Sequence, residues 1–218
     1  MSGDILFNCS ILKTLRFNFH YFGWKGLKFP CLISRNFILK KLGGEVVLNN
    51  YNTGIIRLGF GNVGIFDKKK SKGVWENNGY IEFIGRCFLG HGTKISNSGK
   101  IIIGDKLYVN SEVEIISHKS ISFGDNVLIS WKCLIMDSDF HSIWSSKSGE
   151  ILNLDSPISI GNHVWIGCRN VILKGANIPE NSVVASNSTI SKQFTQTGII
   201  LGGINKVLKE NINWGAVN

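Results

Sequence analysis

Proline is scarce in this chain, with 3 in 218 residues, and no apolar run approaches the length of a bilayer crossing. The longest uncharged stretch near the start, Ile5–Leu12, falls far short of the ~20 residues a membrane span requires. A cleavable signal is also missing, because no basic start leads into an apolar core with a small-residue exit. The five cysteines (Cys9, Cys31, Cys87, Cys133 and Cys168) are odd in number, scattered, and contain no C-x-x-C pair. That argues against a disulfide framework or a zinc site and for a reducing compartment, so a cytoplasmic protein is the expectation. Acids are few: Asp+Glu number 15 against 24 Lys+Arg, a net charge of +9. Residues 1–41 carry Lys13, Arg16, Lys25, Lys28, Arg35, Lys40 and Lys41 against Asp4 alone. Such a balance suits a polyanionic partner: a phosphorylated cofactor, an anionic lipid surface or a nucleic acid. Charge by itself does not choose among them.

What the chain has in quantity is glycine, 25 residues, and a strict period. Ile160, Ile166, Ile172, Ile178, Val184 and Ile190 are β-branched and spaced by six without an error. Two positions before the last five stand Val164, Asn170, Ala176, Ser182 and Ser188, all small or medium. A helix needs apolar spacing of 3.6 and a lone strand needs 2, so a period of six fits neither. It fits a parallel β-helix, in which each hexad is one short strand plus a corner and the aliphatic side chain points into the coil.

The period organises the rest of the chain. Phe83, Leu89, Ile95 and Ile101 begin it, and the frame slips by two to Ile103, Val109, Ile115 and Ile121, then by two again to Phe123, Ile129 and Ile135. Slips of two are expected as insertions at one corner, which leave the strands undisturbed. Residues 137–157 interrupt the array and are expected as a loop thrown out from one face, often the functional one. The expected fold is therefore all-β: an N-terminal cap segment at 1–42, a β-helix at 43–203, and a C-terminal helix and tail at 204–218. In the cap, Leu12, Leu15, Phe19, Phe22 and Trp24 alternate with Lys13, Arg16 and Lys25. This pattern suits a plug over the open end of the coil or a contact with a membrane surface. Lys68-Lys-Lys-Ser-Lys72 is expected as a solvated loop. Ile204, Val207, Leu208 and Ile212 share one helical face, hence the expected C-terminal helix.

The interruption opens Asp137-Ser-Asp-Phe-His141. A histidine two residues after one aspartate and four after another supplies an acid–base pair, since a carboxylate can hold one ring nitrogen as N–H and leave the other free to take a proton. A loop histidine hydrogen-bonded for structural reasons would carry the same spacing. His20 lies in the cap, His91 and His118 sit on coils without partners at metal spacing, and His163 is a candidate corner residue.

Together, Asp137-Ser-Asp-Phe-His141, Ile160-Gly-Asn-His-Val-Trp-Ile-Gly167, the hexads to Ile190 and Lys206-Val-Leu-Lys-Glu-Asn-Ile-Asn-Trp214 resemble the left-handed β-helix (hexapeptide-repeat) acyltransferases. Within them the chain is most similar to O-acetyltransferases of capsular, exopolysaccharide or lipopolysaccharide sugars, over residues 83–214. The resemblance implies that His141 is the general base deprotonating an acceptor hydroxyl, which attacks the thioester of acetyl-CoA directly. It implies Asp139, or failing that Asp137, as the group orienting His141, and Trp165 as a residue holding the acceptor sugar or the thioester. It implies a homotrimer with sites at subunit interfaces, and coenzyme A in the groove between subunits. Backbone near Gly167 and Ala185 would then meet the pantetheine arm, with Lys174, Lys192 and Lys206 near the phosphates. No metal and no nucleic-acid partner are implied, while a peripheral membrane contact stays open through the basic cap. Gly202-Gly-Ile-Asn-Lys206 and Lys192-Gln-Phe-Thr-Gln depart from the family's usual turns and put the adenosine end of the cofactor groove in doubt. The same base would serve an N-acyltransferase on an amino sugar or an acetyltransferase of a small drug, and a β-helix that has lost catalysis would serve as a scaffold. The hexapeptide-repeat carbonic anhydrase is excluded, because the histidine spacings do not match its three zinc ligands.

Overall fold

The computed structural model describes residues 7–215, so Asp4, the first residues of the Ile5–Leu12 stretch and the end of the tail at 218 lie outside it. Short parallel strands stack into three sheets of nine, seven and six strands, and the chain visits the three in turn. Each strand pairs with its equivalent one coil earlier and one coil later, as Ile81↔Ile101↔Ile121↔Ile158 shows on the third sheet. The β-branched side chains of the hexads fill the interior: Ile160, Ile166, Ile172, Ile178, Val184 and Ile190 are all buried. Parallel strands buried this way gain about 1.5–3 kcal/mol per aliphatic side chain, which in a narrow coil is the main stabilising term.

The corners explain the small residues. Val164, Asn170, Ala176, Ser182 and Ser188 are buried at the corners. The residue before each has positive φ: His163 at 54°, Arg169 at 57°, Gly175 at 80°, Asn181 at 59° and Asn187 at 58°. A left-handed residue turns the chain, and the next side chain points into the bore, where space is short. Four of the five are not glycine, so each of these carries a conformational cost of roughly 1 kcal/mol that the ladder bonds on both sides must hold in place.

The two-residue slips are insertions at one corner, the one between the second and third sheets. In the late coils four positions separate inward Ile172 from inward Ala176, whereas in the early coils six separate Ile115 from Ile121, although these strands pair in register. The added residues bring one inward polar side chain per coil: Asn77, Asn97, Ser117 and Asp137. Asn97 Nδ2 donates to Asn77 Oδ1 at 2.7 Å and Ser117 Oγ donates to Asp137 Oδ2 at 2.9 Å. Backbone stacks closely at this corner, and a Cβ at Gly79 would collide with the Gly99 carbonyl. Residues 137–157 leave from the same corner, and the third sheet resumes at Ile158 without loss of register.

The two ends differ from the expected boundaries. The first coil begins at Cys31–Ile33, which pairs with Ile56–Phe60, so coil structure starts ahead of residue 43. Helix α1 (Ile11–Phe22) and a 3-10 turn (Gly23–Lys28) cover the open end. Phe17 is fully buried and meets Trp75 edge-on with ring centroids 5.1 Å apart. At the other end the expected helix at 204–212 is a strand. Lys206–Lys209 runs antiparallel to Ile200–Gly202 and closes the last edge of the first sheet. The reason is local: Gly203 (φ 55°) and Asn205 (φ 53°) form a tight turn, and Gly202 has no Cβ where Leu208 packs. An unpaired sheet edge then recruits the returning chain more strongly than helical periodicity can hold it.

Replacing Ile172 with aspartate places an unpaired charge inside the coil, at a cost of several kcal/mol. Thermal denaturation should show an unfolded or aggregated variant; a soluble Ile172→Asp with unchanged melting would refute the inward frame.

Candidate active site

The protruding loop is built outward from Asp137. Its carboxylate is fully buried and receives His118 N–H at 2.7 Å, Lys119 N–H at 3.0 Å and Ser117 Oγ at 2.9 Å. Asp137 is thus the last rung of the polar corner ladder and does not orient His141. It fixes the point where the loop departs.

Asp139, the first expected partner of His141, is also directed elsewhere. Its Oδ2 accepts from Lys174 Nζ at 2.5 Å and from Asn153 Nδ2 at 2.8 Å. The Lys174 ammonium, with Asn153 behind it, holds the Asp139 carboxyl below the usual carboxylate range. Lys174 Nζ also donates to the Asn153 carbonyl at 2.6 Å, so this lysine, expected near coenzyme A phosphates, ties the loop to the coil instead. Asn153 is the hub that the sequence did not reveal. Its Nδ2 donates to the His141 carbonyl at 2.8 Å, and its Oδ1 accepts from Ile143 N–H at 2.5 Å. The two aspartates and Lys174 therefore fix the backbone that carries His141, not its ring.

His141 lines a cavity of about 190 Å³ together with His118, Phe140, Asn153 and Asp155. Phe140 adopts φ 59° and meets His118 edge-on at 4.5 Å. A left-handed phenylalanine is a strained choice, of the kind that tertiary contacts must maintain. His118, which its place on a coil had set aside, is brought beside His141 by the loop. The pair could have been found in sequence only by knowing that coils stack 20 residues apart, as Ser117↔Asn97 pairing shows.

Trp165 is not among the lining residues of this cavity. It stands on the outer face of the first sheet, 39% exposed, with Nε1 donating to Ser130 Oγ at 3.1 Å. Strand register places it in an outward stripe, Arg57, Phe88, Tyr108, Leu128, Trp165, Val183 and Ile200. Outward positions on the second sheet carry ion pairs instead, such as Lys94–Glu114. Phe88 and Tyr108 stack at 4.6 Å with an 8° interplanar angle, and they wall a groove of about 830 Å³ with Arg57, Arg86 and Lys106. Trp214 stacks on His163 at 4.3 Å and lies 6.0 Å from Trp165, so the tail returns to this face. One chain therefore carries His141 and Trp165 on different sides of the coil.

The expected cofactor residues sit along the late coils. Gly167 N–H donates to Val184 O and Ala185 N–H to Leu201 O, both at 2.8 Å, so neither offers a free N–H to a pantetheine arm. What they offer is lack of bulk. Lys192 and Lys206 are exposed, the second on the returning strand.

Because the Lys174–Asp139 pair involves a depressed carboxyl, its hold on the loop is present above the ordinary carboxylate value of about 3.9 and is lost as pH falls through the lower folded value. Lys174→Met should speed amide exchange across 139–154 at neutral pH while changing global stability by less than about 1 kcal/mol, since the Asp139 carboxylate is exposed and screened by solvent. Unchanged exchange in that loop would show that the pair does not tether it.

No family model matches the chain. It is 32% identical over 117 residues to the galactoside O-acetyltransferase of Escherichia coli K12, a match covering 53% of this chain and 56% of that protein. It is 28% identical over 144 residues to a putative lipopolysaccharide biosynthesis O-acetyl transferase of the same organism, covering 62% of this chain and 74% of the relative. The match to the galactoside enzyme thus spans little more than half of that relative's length. Among solved structures, the polySia specific acetyltransferase NeuO superposes with a TM-score of 0.63 at 19% identity, covering 85% of this chain and 91% of that one. The chain resembles sugar O-acetyltransferases in sequence, and the fold it shares with the NeuO structure is a left-handed parallel β-helix.

Proposed function

We propose that this protein transfers an acetyl group from acetyl-CoA to a hydroxyl of a surface polysaccharide or its precursor, with His141 as general base. The observation that carries this reading is the tethered loop: Lys174, Asp139 and Asn153 fix the backbone at His141, and His141 lines an open cavity. The acceptor hydroxyl oxygen bonds to the thioester carbonyl carbon as its proton passes to an His141 ring nitrogen. The carbon–sulfur bond breaks, and the coenzyme A thiolate leaves with the electron pair and takes up a proton. Such a base contributes about 10²–10⁴-fold to the rate.

The homotrimer implied by the resemblance is supported by what one chain leaves uncovered. The loop exposes Phe140, Ile143, Trp144, Ile151, Leu152 and Leu154. A single chain exposing this many large apolar side chains on one loop is the pattern of a protein interface. A neighbouring copy that covers the loop with its first sheet brings Trp165 toward His141 and completes the site. The groove walled by Phe88, Tyr108, Arg57, Arg86 and Lys106, with Asp105 paired to Arg86, keeps an excess of positive charge that suits an anionic or nucleotide-linked sugar. Gly167 and Ala185 allow close approach of a pantetheine arm, with Lys192 and Lys206 as partners for its phosphates. Lys174 is not among those partners. The position is cytoplasmic on this reading; among the described residues no helix is long and apolar enough to cross a membrane.

His141→Ala should lower acetyl transfer about 10²–10⁴-fold while leaving the assembly and coenzyme A affinity unchanged, measured by thiol release and isothermal titration. Retained turnover removes His141 from the chemistry. Trp144→Glu should convert a trimer to monomers in light scattering and abolish transfer; an intact trimer would take the loop out of the interface. Mass spectrometry after incubation with acetyl-CoA and a panel of nucleotide-sugars, lipid-linked oligosaccharides and polymers identifies the acceptor. Release of the acetyl group by mild base separates an ester from the amide that an N-acyltransferase would make.

A further inference from the structure

The cap has two faces of opposite design from what an end cap requires. On its inner face, Thr14 and Asn18 bind the backbone of the first coil. Asn18 Nδ2 donates to Cys31 O at 2.7 Å, Cys31 N–H donates to Asn18 Oδ1 at 3.1 Å, and Ile33 N–H donates to Thr14 Oγ1 at 3.0 Å. These two polar side chains satisfy a strand edge that has no earlier coil to pair with. With Phe17 and Phe22 they form the buried stripe of α1.

The outer face is apolar. Leu12 is 80% exposed, Ile11 74% and Trp24 83%, with Phe19 and Leu27 also exposed and Phe19 edge-on to Trp24 at 6.4 Å. A terminal cap of a solenoid ordinarily turns a polar face outward to stay soluble. Here Thr14 and Asn18 face in beside Phe17 and Phe22, and the stripe facing out is aliphatic and aromatic.

Its rim is cationic. Arg16, Lys25 and Lys28 are exposed around the stripe, and no acid occurs between residues 7 and 41. Lys13 is not part of this rim, because its Nζ donates to Arg35 O at 2.7 Å and Phe37 O at 2.8 Å. A second copy would present the same cations and be repelled, whereas an anionic surface complements both the charge and the apolar stripe. Exposed tryptophan beside lysine and arginine is the composition that settles at the boundary between headgroups and acyl chains.

We propose that the outer face of the cap, centred on Leu12, Phe19 and Trp24, docks in the plane of an anionic phospholipid bilayer, with Arg16, Lys25 and Lys28 on the headgroups. The docking is independent of the acetyl-transfer reading. It is tested on the full chain by sedimentation with phosphatidylcholine vesicles made with and without phosphatidylglycerol. Binding to the anionic vesicles should exceed binding to the neutral ones by at least about tenfold and weaken with added salt. Phe19→Glu with Trp24→Glu should abolish it without lowering the melting temperature, because both residues lie outside the buried stripe. Arg16→Glu with Lys28→Glu should weaken it by roughly fivefold or more per site. Leu12→Ser, a milder change, should weaken it without removing it. Equal binding to both vesicle types, or none to either, overturns the proposal. So does self-association that Phe19→Glu removes while vesicle binding is absent, which would assign the face to a second copy.

Discussion

Every feature of this molecule answers to one constraint: each short strand must hydrogen-bond, in register, to the equivalent strand of the coil above and the coil below. With strands spaced ~4.8 Å apart along the axis, a residue added inside a strand would turn all following side chains to the wrong face. Beyond the first coils, whose strands hold bulges between Leu39 and Lys41 and between Leu58 and Phe60, additions fall at corners. The two-residue slips and the whole excursion 137–157 obey this rule, and all of them fall at the same corner, between the second and third sheets.

That shared corner links the architecture to the candidate chemistry. The wide early corner holds a column of inward polar groups, Asn77, Asn97, Ser117 and Asp137, each answering backbone N–H groups or the neighbouring rung. Asp137 ends the column, and the chain leaves the coil immediately after it. The late coils lack the two added residues, and Lys174 occupies the narrow version of the same corner, from which it meets Asp139. A structural carboxylate below and an ion pair above thus hold the start of the loop that carries His141.

The ends face the opposite problem, since an outermost coil has ladder groups with nothing to bond. At the start, Thr14 and Asn18 supply side-chain partners to Cys31 and Ile33. At the finish, the chain folds back as Lys206–Lys209 and pairs antiparallel with Ile200–Gly202. Both solutions cover the edge. The first leaves an apolar surface of aromatic and aliphatic side chains with a basic rim.

Much of this was legible in the residues alone. The hexads fixed the coil, the inward frame and the small corners, because a period of six has no other regular structure to serve; Ile160 to Ile190 and their corner partners are buried as spacing requires. The slips located one corner, and the interruption located the loop. What the residues could not show was which partner each polar group takes, because that depends on stacking across a coil. Asp139 and Lys174 are 35 positions apart, Asp137 meets the backbone of His118, and Asn153 reaches back to His141. The C-terminal strand was hidden for a related reason: the helical spacing of Ile204, Val207 and Leu208 is a local preference, and an unpaired sheet edge exists only once the coils are built. Sequence determined the repeat, since side-chain shape sets it strand by strand; tertiary structure alone decided the pairing of charges and edges, since those are contacts between residues that only the winding of the coil brings together.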